Sequence, residues 1–196
     1  MICKKNDSFS IEESVSVLKK GGIAILPTDT VYGFSGISEF KNDKNLNAQK
    51  KIYSLKGRDE GKPFIHLIAS PEDIFLYTDF DIPKKILNCW PGALTIIVPI
   101  KENSQLRTNA PTVAFRCPGD LWLRTIIEKC ARPLYSTSVN KSGNPVLETE
   151  SEIEKMFSDK VDLFVKNGDS KGALPSTLIR LEKTGFSILR QGSVIL

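Results

Sequence analysis

Proline 27 sets the first constraint on this chain. It ends an apolar run, Ile23-Ala24-Ile25-Leu26, that follows Gly21-Gly22. Proline cannot donate to a sheet ladder, so a strand over 23–26 ends there or sits at an edge. Small polar residues come next, Thr28-Asp29-Thr30, followed by Val31-Tyr32-Gly33. The segment reads as a hydroxyl-rich loop at the carboxyl end of a buried strand, where open α/β sheets bind small ligands. It also reads as a Thr/Asp turn that satisfies its own backbone.

Hydrophobic periodicity extends the pattern along the chain. Ser10-Ile11-Glu12-Glu13 has the form of a capping box, and Ile11, Val15 and Leu18 follow at helical spacing up to Gly21-Gly22. A second helix is expected from about Lys44 to Leu55, and a strand over Phe64–Ala69. Ser70-Pro71 opens a helix, and Pro83 begins another that reaches Cys89. Ala93–Val98, Thr112–Arg116 and Leu134–Val139 read as strands, with Asp120 capping a helix over Leu121–Ala131. Ser151-Glu152-Ile153-Glu154 suggests another capping box, and Val161–Val165, Thr177–Leu181 and Phe186–Arg190 complete the strands. Helices and strands alternate and then strands predominate, which predicts a mixed α/β sheet with flanking helices in one domain.

Composition excludes several classes. The 196 residues can bury one sizeable core. The excess of 27 basic over 23 acidic residues suits anionic ligands but is too small to argue for nucleic acid. No apolar run approaches membrane-spanning length, and Met1 to Phe9 lacks the apolar core of a secretory signal. A cytoplasmic protein with no membrane association is expected. Cys3, Cys89, Cys117 and Cys130 form no C-x-x-C pair, so neither a zinc site nor a redox motif is expected. His66 is the single histidine, and no G-x-S-x-G elbow exists to use it.

Four segments carry chemistry. The loop at 27–33 is the first. Lys56-Gly57-Arg58, with Lys62 close by, places cations that can converge on a polyphosphate or form a solvated basic turn. These residues do not make a P-loop, because Pro63 and an apolar strand stand where a helix is required. Ser136-Thr137-Ser138-Val139-Asn140 alternates at a strand end, so Ser136, Ser138 and Asn140 share a face. Thr112, Ala114 and Arg116 share a strand face likewise, making Arg116 an edge residue or an anion clamp. Ser176-Thr177 and Arg190-Gln191-Gly192 add hydroxyls and a second guanidinium.

Taken in order, these motifs resemble the YrdC/Sua5 family of threonylcarbamoyl-AMP synthases, in its short, single-domain form. The resemblance runs through Pro27–Gly33, Lys56-Gly57-Arg58, Trp90-Pro91-Gly92-Ala93-Leu94-Thr95, Thr112–Arg116, Ser136–Gly143, Ser176-Thr177 and Leu189-Arg190-Gln191-Gly192. It implies a single YrdC-like domain over 1–196, without the extra C-terminal domain of longer Sua5 members, built on a twisted mixed sheet with a concave basic cavity. It implies synthesis of L-threonylcarbamoyl-AMP and pyrophosphate from L-threonine, bicarbonate and ATP. The product would feed t6A modification at position 37 of tRNAs reading ANN codons, through a downstream tRNA threonylcarbamoyltransferase machinery. Mg2+ is expected with the ATP, and no organic cofactor or protein-held metal. Double-stranded RNA or tRNA is a further implied partner. The competing reading is a paralogue of the same fold that acts as an RNA-binding module without this activity.

The resemblance also assigns residues. Thr30, Arg116, Ser136 and Ser176 would bind threonine, with Arg116 on its carboxylate. Lys56 and Arg58 would be catalytic and, with Lys62, would face the ATP phosphates. Thr112, Ser138, Asn140, Val146 and Arg190 would complete the nucleotide side. His66 joins the threonine set as a candidate, although it stands one place before the family's usual histidine position, which Leu67 occupies. One residue of shift turns a strand side chain to the other face.

Overall fold

The computed structural model describes residues 1–57 and 63–196. Their strands are β1 (Ile2–Lys4), β2 (Ala24–Leu26), β3 (Gly33–Ile37), β4 (Ile65–Leu67), β5 (Leu94–Pro99), β6 (Thr112–Arg116), β7 (Leu134–Ser138), β8 (Leu163–Lys166), β9 (Thr177–Leu181) and β10 (Phe186–Arg190). They form one mixed sheet in the order β1-β8-β2-β3-β7-β4-β6-β5-β9-β10. The helices are α1 (Ser10–Lys19), α2 (Ala48–Lys56), α3 (Lys84–Leu87), α4 (Leu121–Cys130) and α5 (Glu150–Phe157), with a 3₁₀ helix over Pro71–Leu76.

Strand alternation distributes the core between two faces. Ala24, Leu26, Leu67 and Leu134 pack with Leu18 of α1 and Ile126 of α4. Ile23, Ile25, Phe34 and Tyr135 pack with Ile52 of α2 and Phe157 of α5. A third cluster, including Trp90, Ile96, Phe115 and Ile179, fills the β5–β6–β9 end. Among the described residues no helix is long and apolar enough to cross a membrane.

The expected mixed α/β architecture is present, with local differences. α2 begins at Ala48 instead of about Lys44. Ser10 lies inside α1 and its hydroxyl donates to Lys5 O at 2.7 Å, so it does not cap the helix. α5 is capped by Thr149, whose Oγ1 accepts from Glu152 N at 3.3 Å, so the box sits two residues before Ser151. Asp120 caps α4 as expected, its Oδ1 accepting from Trp122 N and Leu123 N. β1 and β3 escape the sequence reading. β1 has only three residues, and β3 carries Gly33 and Gly36 where apolar alternation would mark a strand.

Candidate active site

On the α1/α4 face, but clear of both helices, the sheet floors a cavity of about 410 Å³. Ser136, Ile65, Ala114 and Ile97 lie side by side in register across β7, β4, β6 and β5, and all line it. Two residues further along their strands, on the same face, stand Ser138 and Arg116. Thr28 and Thr30 bring the loop after β2 to the wall. Val146, Ser176 and Arg190 also line the cavity. The structure thus brings together Thr30, Arg116, Ser136, Ser138, Val146, Ser176 and Arg190, from segments far apart in sequence.

Both readings of the 27–33 loop hold at once. Thr28 Oγ1 donates to Val31 O at 2.8 Å and accepts from Thr30 N at 3.0 Å, a turn that satisfies itself. The same turn holds Thr30 Oγ1 2.9 Å from Thr28 Oγ1 and within reach of Arg116. A Cβ on Gly33 would stand 2.9 Å from Ser136 Oγ, so that hydroxyl would have to turn aside.

Arg116 is buried and held from three sides. Its Nη2 donates to Asp29 Oδ1 at 2.6 Å, its Nη1 to Thr30 Oγ1 at 2.8 Å and its Nε to Gly92 O at 3.1 Å. A guanidinium carries five N–H donors, so two remain beyond these contacts. The second oxygen of Asp29 accepts from Gly119 N at 2.9 Å, which ties the pair to the turn before α4. Arg190 approaches from the opposite wall. Its Nε donates to Ser176 O at 3.0 Å and its Nη2 to Ser176 Oγ at 3.2 Å. Ser176 Oγ also lies 2.7 Å from Thr95 Oγ1, deep in the protein. Burial, and then the charge of Arg116, pull the Arg190 guanidinium below its usual value. Both guanidiniums line the cavity, which therefore carries two positive charges on its wall.

Other sequence candidates lie elsewhere. Lys56 does not line the cavity. It is buried behind the end of β7, where Nζ donates to Ser138 O at 2.6 Å, Asn140 Oδ1 at 2.7 Å and Asn140 O at 3.2 Å. Asn140 is likewise behind the wall, its Oδ1 accepting from Ser138 Oγ at 2.9 Å. Thr112 lines a neighbouring cavity of about 480 Å³ that shares Pro63 and Phe64 with the first. Arg58 and Lys62 lie outside the described residues.

His66 stands on the other face of the sheet from the candidate site. Its neighbours in register are Phe115 and Tyr135, the row opposite to Ala114 and Ser136. The ring packs 5.0 Å from Tyr135 and 5.7 Å from Phe115, and Nδ1 lies 2.9 Å from Ser38 Oγ. Burial lowers its pKa from 6.5 to about 3, so the imidazole is neutral. The one-residue shift noted in the sequence has this structural result, and His66 drops out of the threonine set.

Three partners escaped the sequence reading: Asp29, the Gly92 carbonyl and Thr95. Asp29 was visible only as one polar residue of a loop. The other two act through a backbone oxygen and through a hydroxyl beneath the surface.

Comparison with known proteins places the fold in a family. The Sua5/YciO/YrdC family model, described as "Telomere recombination", matches residues 16–192. The threonylcarbamoyl-AMP synthase of Pyrococcus abyssi is 29% identical over 194 residues, covering 96% of this chain and 55% of that protein. The threonylcarbamoyl-AMP synthase of Photobacterium profundum is 28% identical over 190 residues, covering 93% of this chain and 99% of that protein. The chain therefore spans little more than half of the Pyrococcus protein and nearly all of the Photobacterium one. The crystal structure of P. abyssi Sua5 complexed with L-threonine matches with a TM-score of 0.83 at 27% identity, covering 98% of this chain and 57% of that one. Sheet order, cavity and a match over residues 16–192 lead to one assignment: the chain belongs to the Sua5/YciO/YrdC family.

Proposed function

We propose that this protein makes L-threonylcarbamoyl-AMP and pyrophosphate from L-threonine, bicarbonate and ATP. The observation that carries the reading is Arg116: a buried guanidinium, fixed by Asp29, Thr30 and Gly92, on the wall of a hydroxyl-rich cavity. A planar cation with N–H groups to spare recognises a carboxylate in a fixed orientation. The hydroxyls of Thr30, Ser136 and Ser176 suit the amine and side chain of threonine. Arg190, close enough for its charge to sense Arg116, suits the phosphates.

The chemistry needs no covalent enzyme intermediate. The threonine amine and bicarbonate form a carbamate with loss of water. A carbamate oxygen then attacks the α-phosphorus of ATP, and the bond to pyrophosphate breaks. Catalysis is positioning plus stabilisation of phosphate charge. Ser138 faces the nucleotide, and Lys56 acts as a positioning residue by holding Ser138 and Asn140 in place. Arg58 and Lys62 retain their proposed place on the phosphates, and Thr112 would meet the nucleotide where the two cavities join. Mg2+ would arrive on the triphosphate, held by phosphate oxygens and water. The one carboxylate identified beside Arg116, Asp29, is already committed to Arg116 and Gly119. The product would serve the t6A modification of tRNAs reading ANN codons.

The test is pyrophosphate release by purified protein with ATP, Mg2+ and bicarbonate, with L-threonine present, omitted or replaced by L-serine. Release that requires threonine and bicarbonate, with a threonylcarbamoyl adenylate in the mass spectrum, is expected. No release from folded protein under any of these conditions would overturn the proposal in favour of a paralogue without the activity.

A further inference from the structure

Another cavity, of about 510 Å³, lies between the 3₁₀ helix and α4 and shares no residue with the first. Arg124 lines it from α4, and its Nε is buried with no hydrogen-bond partner among the described residues. Arg107, Arg116, Arg132 and Arg190, by contrast, each donate to protein oxygens. A buried guanidinium N–H without an acceptor is costly, and an acceptor in the cavity removes that cost. Tyr77 lines the same space with its ring stacked 5.4 Å from Phe115. Among the described residues no protein group accepts from its hydroxyl. Burial pushes that phenol up to about 12, so it keeps its proton and donates.

The acids nearby leave these donors free. Asp73 accepts from Ala69 N and Ser70 N, and Glu128 lies exposed at the rim. Ser70, Thr125 and Arg132 also line the space, Arg132 already paired with Asp43, and two leucines are left exposed there: Leu76 is 62% exposed and Leu121 66% exposed. A space of this size, with convergent donors and two exposed leucines beside them, has the character of a small-molecule site. We infer that it binds a small amphipathic oxyanion, a carboxylate or phosphate on a short apolar chain. The oxyanion meets Arg124 and Tyr77, and the chain lies between Leu76 and Leu121.

The experiment is titration of the 15N-labelled protein with acetate, hexanoate, hexyl phosphate and, as a cationic control, hexylamine. The arginine Nε–H signals and the backbone amides of Leu76, Tyr77 and Leu121 are followed, with Arg124 assigned from Arg124→Gln and binding by that variant read from the amides. Hexanoate or hexyl phosphate should shift the Arg124 signal saturably, and the tighter of the two identifies the headgroup. Hexanoate should bind at least about tenfold more tightly than acetate, because each buried methylene adds to affinity. Arg124→Gln should abolish the binding and leave threonine-dependent turnover unchanged, since among the described residues no hydrogen bond or ion pair of its side chain is lost. Tyr77→Phe, which keeps the ring stack, should weaken it, and Leu121→Asp should remove the advantage of hexanoate even if Arg124→Gln does not fold. No saturable shift with either six-carbon anion, equal affinity for acetate and hexanoate, binding of hexylamine at the same place, or wild-type binding by Arg124→Gln would each overturn the inference.

Discussion

Arg116 and Asp29, 87 residues apart in sequence, meet at 2.6 Å, with the arginine side chain 5% exposed and the carboxylate 21% exposed. The pair explains how a guanidinium is kept at the edge of a ligand cavity. Asp29 supplies countercharge and orientation, and two N–H groups of Arg116 remain beyond its protein contacts. Removing one partner of such a pair costs about 3–5 kcal/mol, because the other charge is left uncompensated. Arg116→Ala should therefore lower the melting temperature and raise the KM for threonine about a hundredfold, with a much smaller change for ATP. Adding Asp29→Ala should restore part of the stability and none of the threonine affinity. Steady-state kinetics on both substrates, alongside thermal unfolding, separates the two effects. Equal losses for threonine and ATP would remove Arg116 from the carboxylate.

Lys56 offers a different kind of prediction. Its ammonium donates to three oxygens of Ser138 and Asn140, and it is 4% exposed. Lys56→Met keeps much of the apolar stem and removes the ammonium from those acceptors, leaving Asn140 Oδ1 its bond from Ser138 Oγ. Stability should fall by about 3 kcal/mol, and turnover should fall with it as Ser138 loses its anchor. A variant as stable as the parent but inactive would return Lys56 to direct contact with phosphate.

Gly192 lies flat against the start of β9, with its N donating to Thr177 Oγ1 at 2.9 Å. A Cβ at this position would stand 2.2 Å from Pro175 O and 2.5 Å from Thr177 N. Gly192→Ala must push apart the two segments that carry Ser176 and Arg190. A loss of about 3 kcal/mol is expected, with turnover falling further than stability alone accounts for. Urea unfolding and kinetics at a temperature well below the transition would test both parts.

His66 sets an acid limit on stability. Its pKa is about 3 in the folded protein against 6.5 when exposed, so the unfolded chain binds more protons between those values. Stability from this group is complete above about pH 6.5 and is lost as pH falls towards 3, by about 1.4 kcal/mol per pH unit. Since this is the single histidine in the chain, the slope above the carboxylate range belongs to it. Urea unfolding across that window should show the slope in the parent and not in His66→Gln. An identical slope in both would place the titrating group elsewhere.

Strand alternation made much of the site legible. A period of two places Thr112, Ala114 and Arg116 on one face, and Ser136 with Ser138 on another strand's matching face. The structure keeps both alternations while moving Thr112 to the adjoining cavity. What the sequence hid in the site is of two sorts. Pairings across long separations, such as Asp29 with Arg116, depend on which strands become neighbours. Contacts to backbone oxygens, such as Lys56 with Ser138 O, leave no mark in side-chain identity. β3 was hidden for another reason: its glycines make room for neighbouring groups, as Gly33 does for Ser136 Oγ, and so weaken the apolar alternation that marks a strand. The capping box of α5 sits at Thr149 instead of Ser151 because several hydroxyl and acidic residues stand within one turn of each other, and α1 has no side-chain cap at its N-terminus.

Arg190 comes from β10, the outermost strand, which pairs only with β9. Arg116 comes from β6, held between β4 and β5. The two cations at the cavity therefore belong to parts of the sheet with different opening free energies. Fraying of the edge withdraws Arg190 and leaves Arg116 in place, so capacity for the anionic end of a ligand goes before the fold does. A bound nucleotide should slow hydrogen exchange in β10 far more than in β6, and opening of β10 would then time its release.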